Sequence, residues 1–153
     1  MDGMGSRFGG GGGVSLHPHN SNGRRFSMTD LALTLAPVPN SVPAARHCLD
    51  GLAARLDERQ LENLRLLVSE VVSNSVRHGD GAGPIELRIT IERSGVRVEV
   101  EDPGPGFRPT PETGPVERNE GWGLLLVERL ADRWGVVASG STLVWFELDP
   151  LAA

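Results

Sequence analysis

Apolar residues recur with a period of two in several short segments of the chain. Leu31, Leu33 and Leu35 alternate with smaller residues, and the segments 85–91 and 96–100 each place isoleucine, leucine or valine on one face. The segments 85–91 and 96–100 are joined by a turn at Ser94-Gly95. A turn at 139–141 joins a second pair of strands, VVAS and TLVWFELD. The pattern therefore predicts five β-strands.

Three other segments show helical spacing of their apolar residues. The first follows Asn40 and extends to about residue 56, and the second begins after Asp57, where Gln60 completes the pattern of a capping box. The second helix ends near His78, before a glycine, and the segment GWGLLLVERLADRWG is predicted to be a short third helix opened by glycines. The order βααββαββ predicts an α/β (α+β) fold: a two-layer sandwich with helices on one face of a mixed, mostly antiparallel sheet.

Composition narrows the classes of protein that this chain can be. Residues 1–26 are rich in Gly, Ser and Asn and are expected to be a disordered tail, which leaves 27–150 as one domain. The net charge of −5 argues against nucleic acid as the main partner. Cys48 is the only cysteine, which excludes an intrachain disulfide. With neither a membrane-spanning run nor a secretory signal in view, a cytoplasmic protein is expected.

The second helix carries a polar stripe along one edge of its apolar arc. Glu70, Asn74 and His78 are four residues apart, so they lie on one line of the helix, with Arg77 beside Glu70. One interpretation is that they are ordinary exposed residues, with His78 favoured by the negative end of the helix dipole. The other is that the stripe borders an opening beside the packed face.

Asp102 favours the second interpretation. Its strand alternates so that Asp102 points to the same side as Val100, toward the core, where a carboxylate needs a donor. Gly104 and Gly106 follow and would let the backbone approach a ligand, such as a purine whose amino group donates to Asp102. The alternative is an aspartate that starts the bend at Pro103.

Gly121-Trp122-Gly123 opens the third predicted helix. Backbone N–H groups at a helix N-terminus attract phosphate, although a plain helix entry explains the glycines equally well. The segment 107–120 before it has the composition of a lid that could close over a ligand.

The three motifs occur in an order that resembles a known family. SEVVSNSVRHG is similar to the N box, VEDPGPGF to the first glycine box and GWGLLLVERLADRWG to the second glycine box of the GHKL superfamily of ATP-binding domains, which have the Bergerat fold. The resemblance covers about 28–149 and is closest to the anti-sigma-factor serine/threonine kinases of bacteria. It implies a histidine-kinase-like ATPase domain.

The resemblance also implies a role for each matched residue. Glu70 would be the catalytic residue, acting as a base or orienting the attacking group, and Asn74 would hold Mg²⁺ on the phosphates of ATP. Arg77 would face the phosphates, and Asp102 would bind the adenine amino group. The remaining implied ATP-binding residues are Gly104, Gly106, Gly121, Gly123 and Leu124.

Three functions are considered on this basis. The first is a kinase that transfers the γ-phosphate of ATP to a STAS-type anti-anti-sigma protein, sequesters a sigma factor and forms a homodimer, with no nucleic acid or membrane partner. The second is a non-catalytic ATP-binding module, suggested by Trp122, where many such kinases have arginine. The third is a metal-dependent hydrolase using Glu70, His78 and Asp102, although Glu70 and His78 lie roughly 12 Å apart along the helix axis.

Overall fold

The structure, a computed structural model, describes residues 29–79, 81–104 and 122–150. These residues form one five-stranded sheet in the order β1-β2-β3-β5-β4. Each neighbouring pair of these strands is antiparallel, so the described sheet is antiparallel throughout rather than mixed. The predicted α/β sandwich of helices on a mostly antiparallel sheet is confirmed. The elements in chain order are β1 (Leu31–Leu35), α1 (Ser41–Cys48), a 3-10 helix (Leu49–Arg55), α2 (Glu58–His78), β2 (Ile85–Glu92), β3 (Gly95–Asp102), α3 (Trp122–Leu130), β4 (Arg133–Ala138) and β5 (Thr142–Leu148).

One hydrophobic core lies between the helices and one face of the sheet. α2 occupies the centre of the helical layer, where it contacts α1, α3, β3 and β5. The alternation of β2 and β3 directs every second side chain into this layer, as the sequence pattern predicts. None of the helices in the described residues is long and apolar enough to cross a membrane. The fully buried members of the core include Ala45, Leu49, Leu64, Leu67, Val68, Val72, Leu87, Ile89, Val98, Val127 and Phe146.

α2 begins and ends where the sequence predicts. The Asp57 side chain accepts a hydrogen bond from the Gln60 N–H, and the Gln60 side chain accepts one from the Asp57 N–H, which completes the capping box. After His78 the chain turns away at Gly79, whose φ of −64° and ψ of 153° are extended rather than left-handed. The N–H of Gly79 still donates to the Ser75 carbonyl at 2.9 Å. The polar stripe therefore occupies the C-terminal half of a well-defined helix.

Two predicted helix boundaries were wrong. The first helix does not continue as an α-helix to residue 56, because α1 ends at Cys48 and a 3-10 helix follows. The third helix ends at Leu130, and the residues that extend the predicted helix begin β4 instead. Trp134 lies opposite Phe146 in the β4–β5 ladder and packs against the core. Tertiary packing of this tryptophan outweighs the local helical pattern.

The sheet face opposite the helices carries a layer of ion pairs. Glu147 is 1% exposed and accepts hydrogen bonds from Arg97 Nη1 at 2.8 Å and Arg133 Nε at 2.6 Å. Arg133 also binds Asp149, and the guanidinium of Arg97 lies 4.5 Å from the ring centroid of Trp145. The carboxylates of Asp149 and Glu147 raise the pKa of Arg133 above its ordinary value. This layer, formed by Arg97, Arg133, Trp145, Glu147 and Asp149, is called the outer ion-pair layer below.

A second ionic contact fixes the edge of the sheet. Asp30 pairs with Arg55, and it accepts a hydrogen bond from the Ile91 N–H at 2.6 Å. Burial acts to raise the pKa of Asp30, but the hydrogen bonds from Arg55 and Ile91 and the charge of Arg55 together lower it. The start of β1, the 3-10 helix and β2 are thereby joined at one carboxylate.

Candidate functional site

A cleft of about 530 Å³, including its open mouth, lies between the C-terminal half of α2, the start of α3 and the ends of β3, β4 and β5. Residues from α2 and α3 form one side of the cleft, and residues from the three strands form the other. Several of them belong to motifs that the sequence singles out. The lining residues are Val71, Asn74, Ser75, His78, Gly79, Asp102, Leu124, Val136, Thr142 and Val144.

Asp102 is the buried carboxylate of the cleft. It is the last residue of β3 and is 8% exposed. Its Oδ1 accepts a hydrogen bond from the Gly104 N–H at 3.0 Å, so the carboxylate holds the turn that follows it. Thr142 pairs with Asp102 across the ladder and donates its hydroxyl to the Gly104 carbonyl at 3.1 Å. The turn after β3 is thereby fixed from both sides at the cleft wall.

The end of α2 is brought against this carboxylate. Asn74, Ser75 and His78 line the cleft, with Asn74 and His78 on the same line of the helix. Gly79 allows the close approach, because a Cβ atom there would lie 2.5 Å from the Ser75 carbonyl oxygen and 3.7 Å from Asp102 Oδ1. The amide of Asn74 and the carboxylate of Asp102, which are 28 residues apart in the sequence, therefore share one cleft.

Two of the predicted residues on α2 lie outside the cleft lining. Glu70 is half-buried and lies on α2 one turn before Asn74, which lines the cleft. Arg77 is exposed, and its Nη2 donates to Ser73 Oγ on the same helix at 2.8 Å. The structure therefore brings Asn74 and Asp102 together, keeps Glu70 beside them, and directs Arg77 along the outer surface of the helix.

The start of α3 forms part of the cleft. Leu124 lines it, and Gly123 lies in the first turn of the same helix, so the predicted start of α3 is confirmed. The predicted contributions of Gly106 and Gly121, and of the lid at 107–120, lie outside the described residues.

The walls of the cleft were not anticipated from the sequence. Val71 on α2 and Leu124 on α3 lie across from Val136 and Val144 on the sheet, which gives apolar walls suited to a flat ring. Thr142 was also missed, although its place opposite Asp102 follows once the last strand is aligned with β3. His78, which the sequence left as a structural residue, lines the cleft as well.

The acidic and histidine side chains of the cleft do not form a transition-metal centre. Within the described residues, no group of three or more His, Cys, Asp or Glu side chains is placed to hold a metal ion. Glu70, His78 and Asp102 are therefore not assembled as the ligand set that a metal-dependent hydrolase would need. The amide oxygen of Asn74 is instead the kind of single hard ligand that suits Mg²⁺ already bound to phosphates and water.

The chain is similar to several known proteins. The histidine kinase domain of the Erythrobacter litoralis EL346 blue-light activated histidine kinase has a TM-score of 0.49 and 22% identity, over 73% of this chain and 60% of that chain. The Anti-sigma F factor of Lysinibacillus sphaericus is 27% identical over 121 residues, 71% of this chain and 83% of that protein. The Serine-protein kinase RsbW of Listeria monocytogenes serotype 4a (strain HCC23) is 33% identical over 118 residues, 67% of this chain and 75% of that protein. The family described as Histidine kinase-like ATPase domain matches residues 35–146, which include Glu70, Asn74 and Asp102. The predicted resemblance is confirmed, and the chain belongs to the histidine kinase-like ATPase domain family.

Proposed function

We propose that this protein binds Mg·ATP in the cleft and is a serine/threonine kinase that phosphorylates a STAS-type anti-anti-sigma protein. The observation that carries the proposal is the meeting of Asn74 and Asp102 in one cleft with apolar walls. Asp102 can accept a hydrogen bond from an adenine ring, and Asn74 can hold a metal ion bound to a phosphate chain at another point of the same cleft. The names of the relatives, a serine-protein kinase and an anti-sigma factor, support the class of reaction and of partner.

Each cleft residue has a defined task in this proposal. Asp102 accepts a hydrogen bond from the adenine amino group, while Thr142 and Gly104 keep the turn beside it in place. The backbone of Gly104 approaches the base, and that of Gly123 and Leu124 at the start of α3 meets the phosphates. We further assign phosphate contacts to Gly121, and a contact with the base to Gly106.

Asn74 is the residue that would hold Mg²⁺, because an amide oxygen is a hard ligand and the phosphates and waters complete the coordination. When bound, Mg·ATP supplies the transferable phosphoryl group and the charge that stabilises its transfer. Glu70 lies about 6 Å along the helix axis from Asn74, at the edge of the cleft, where it accepts the proton of the attacking hydroxyl. Arg77 is left out of the nucleotide site because its guanidinium binds Ser73 on the exposed side of α2.

The proposed partners are proteins. Phosphorylation would add negative charge to the STAS-type protein and weaken its docking by repulsion and desolvation. Release of that partner would leave this chain available to sequester a sigma factor. We propose that this exchange takes place in the cytoplasm and that the protein acts as a homodimer.

The proposal is tested by incubating the protein with Mg²⁺, radiolabelled ATP and the STAS-type protein whose gene lies nearest to the gene for this chain. We expect the label to appear on a serine or threonine of the STAS-type protein, and Asp102→Ala to abolish both ATP binding and labelling. No labelling by a protein that binds ATP would contradict the kinase assignment. No ATP binding would contradict the nucleotide site itself.

A second candidate function is an ATP-binding module without phosphoryl transfer. The position of Glu70 outside the cleft lining favours it, because phosphoryl transfer needs a base that contacts the attacking hydroxyl beside the γ-phosphate. In this case the nucleotide would control binding of a sigma factor or another partner. Glu70→Ala separates the two functions, because partner binding survives in both and only a kinase loses transfer.

A further inference from the structure

The side chains of α2 are arranged in order around the cleft edge. A helix turns by about 100° per residue, so positions can be compared as angles about the axis. With Asn74 at zero, His78 lies at about +40° and Ser75 at about +100°. Both line the cleft, as Val71 does at about +60°. The cleft is therefore on the positive side of Asn74.

The opposite side of Asn74 begins with Glu70. It lies at about −40°, followed by Arg77 at about −60°. Leu66 is at about −80° and Ser73 at about −100°. None of these four side chains lines the cleft. Glu70 therefore stands between the nucleotide side of α2 and an outer ridge made of Leu66, Ser73 and Arg77, which is called the α2 ridge below.

The α2 ridge carries one exposed apolar side chain and one exposed cationic side chain. Leu66 is 41% exposed and is one of three large apolar residues exposed in the described part of the chain. The hydrogen bond from Arg77 Nη2 to Ser73 Oγ holds the guanidinium along the helix surface, and the Arg77 side chain is exposed. Leu66 lies one turn before Glu70, about 6 Å along the axis, and Arg77 lies about 10 Å beyond Glu70 in the other direction. Along the helix axis, residues of the ridge thus lie both before and after Glu70.

We propose that the α2 ridge is the docking surface for the protein substrate, and this inference rests on the kinase function proposed above. An acceptor hydroxyl must reach Glu70 while ATP occupies the cleft, so the substrate approaches from the side of Glu70 that the cleft does not occupy. That side is the ridge. A matching substrate presents an apolar patch to Leu66 and a carboxylate to Arg77, with the acceptor serine or threonine between them.

The transfer step balances with these groups. The acceptor oxygen forms a bond to the γ-phosphorus as the bond from that phosphorus to the bridging oxygen breaks. The electron pair of the broken bond leaves on ADP, and the hydroxyl proton passes to Glu70. The ridge takes no part in the bonds that change, and its residues act by holding the acceptor beside Glu70.

Leu66→Ala is the principal test, with Val137→Ala as its matched control. Val137 is 50% exposed but follows the cleft-lining Val136 in β4, so it lies on the other face of the sheet. With the STAS-type protein as substrate, we expect Leu66→Ala to raise the KM for that protein about tenfold. The dissociation constant for ATP should not change. Leu66→Met should restore most of the affinity, and Val137→Ala should match the unchanged protein.

Arg77→Ala tests the charged half of the contact, with the exposed Arg93→Ala as control. We expect a higher KM for the protein substrate and a loss of the dependence of that KM on salt concentration, since the ion pair would be missing. Weaker ATP binding by Arg77→Ala at an unchanged protein KM would overturn its place on the ridge. An unchanged KM in Leu66→Ala would overturn the docking surface.

The proposed function and this inference fail in different ways. If the unchanged protein binds ATP but phosphorylates no STAS-type protein, the kinase function is refuted and the inference falls with it. If the unchanged protein does phosphorylate its substrate and all ridge variants do so with the same KM, only the docking surface is refuted.

Discussion

Replacing Glu147 by Gln tests whether the outer ion-pair layer contributes to the stability of the fold. Glu147 is fully buried on a sheet face that no described helix covers. It is the shared partner of Arg97 and Arg133, each within 3 Å of a different carboxylate oxygen. The substitution keeps the shape of the side chain and removes its charge.

The expected cost follows from the number of partners that lose an acceptor. A hydrogen bond to a charged group contributes about 1.5–3 kcal/mol, and removing one member of a buried ion pair costs about 3–5 kcal/mol. Glutamine retains one acceptor oxygen and places an N–H₂ group against the second guanidinium. Arg97 keeps Glu99 at 3.0 Å, and Arg133 keeps Asp149. The loss should therefore fall near the lower limit, about 3 kcal/mol, which corresponds to about 10 °C in Tm.

Urea unfolding followed by tryptophan fluorescence measures this loss, because Trp145 lies against Arg97 in the same layer. Glu101→Gln is the matched control on the same sheet face. Glu101 lies 3.8 Å from Arg88, which is 40% exposed, so this pair should contribute less than about 1 kcal/mol. Its bond from Ser141 can persist, since glutamine also accepts.

Equal losses in the Glu147 and Glu101 variants would contradict this expectation, because burial would then make no difference to the strength of an ion pair. A double-mutant cycle with Arg133→Gln identifies the contact responsible. We expect a coupling free energy above about 1 kcal/mol for Glu147 with Arg133, as found for groups in one network. A coupling near zero would assign the loss to a general effect of the substitution.

Three further predictions concern single contacts. Gly79→Ala should destabilise the fold by about 1–3 kcal/mol in urea unfolding, because the new Cβ would meet the carbonyl of Ser75; an unchanged midpoint would contradict the close approach. Thr142→Val should weaken ATP binding about fivefold in calorimetry by releasing the Gly104 carbonyl, with full affinity as the refuting result. The pKa of Asp30 is lowered by its partners, so its stabilising effect is present above its unfolded pKa near 3.8 and is lost as the pH falls through the folded pKa. Asp30→Asn should therefore reduce the stability difference between pH 6 and pH 3, and an unchanged difference would show that Asp30 does not titrate with folding.

Local signals were sufficient to predict most elements of the fold. The capping box at Asp57, the alternation in β2 and β3, and the helical arc of α2 each depend on near neighbours in the chain, so periodicity identifies them. The end of the third helix could not be predicted in this way. Residues 133–135 continue a helical pattern, but Arg133 binds Glu147 and Trp134 packs opposite Phe146, contacts that exist only after β5 is in place.

The same distinction separates the predicted and unpredicted parts of the candidate site. Asn74 and Asp102 could be identified because each motif is local, yet the cleft that joins them is made by contacts between distant segments. The position of Arg77 in the motif predicts a contact with the phosphates. In the structure its guanidinium instead donates a hydrogen bond to the nearby Ser73, a contact that the motif does not predict. The polar stripe of a helix has a neighbouring surface on each side, and the sequence alone does not show which of the two faces the sheet. In α2 the packing of Val71 and Ser75 directs one edge to the cleft, and this leaves Glu70 between that cleft and a solvent-facing ridge. The proposed role of Glu70 as a base agrees with this position, because the two substrates of a kinase would then approach it from different sides.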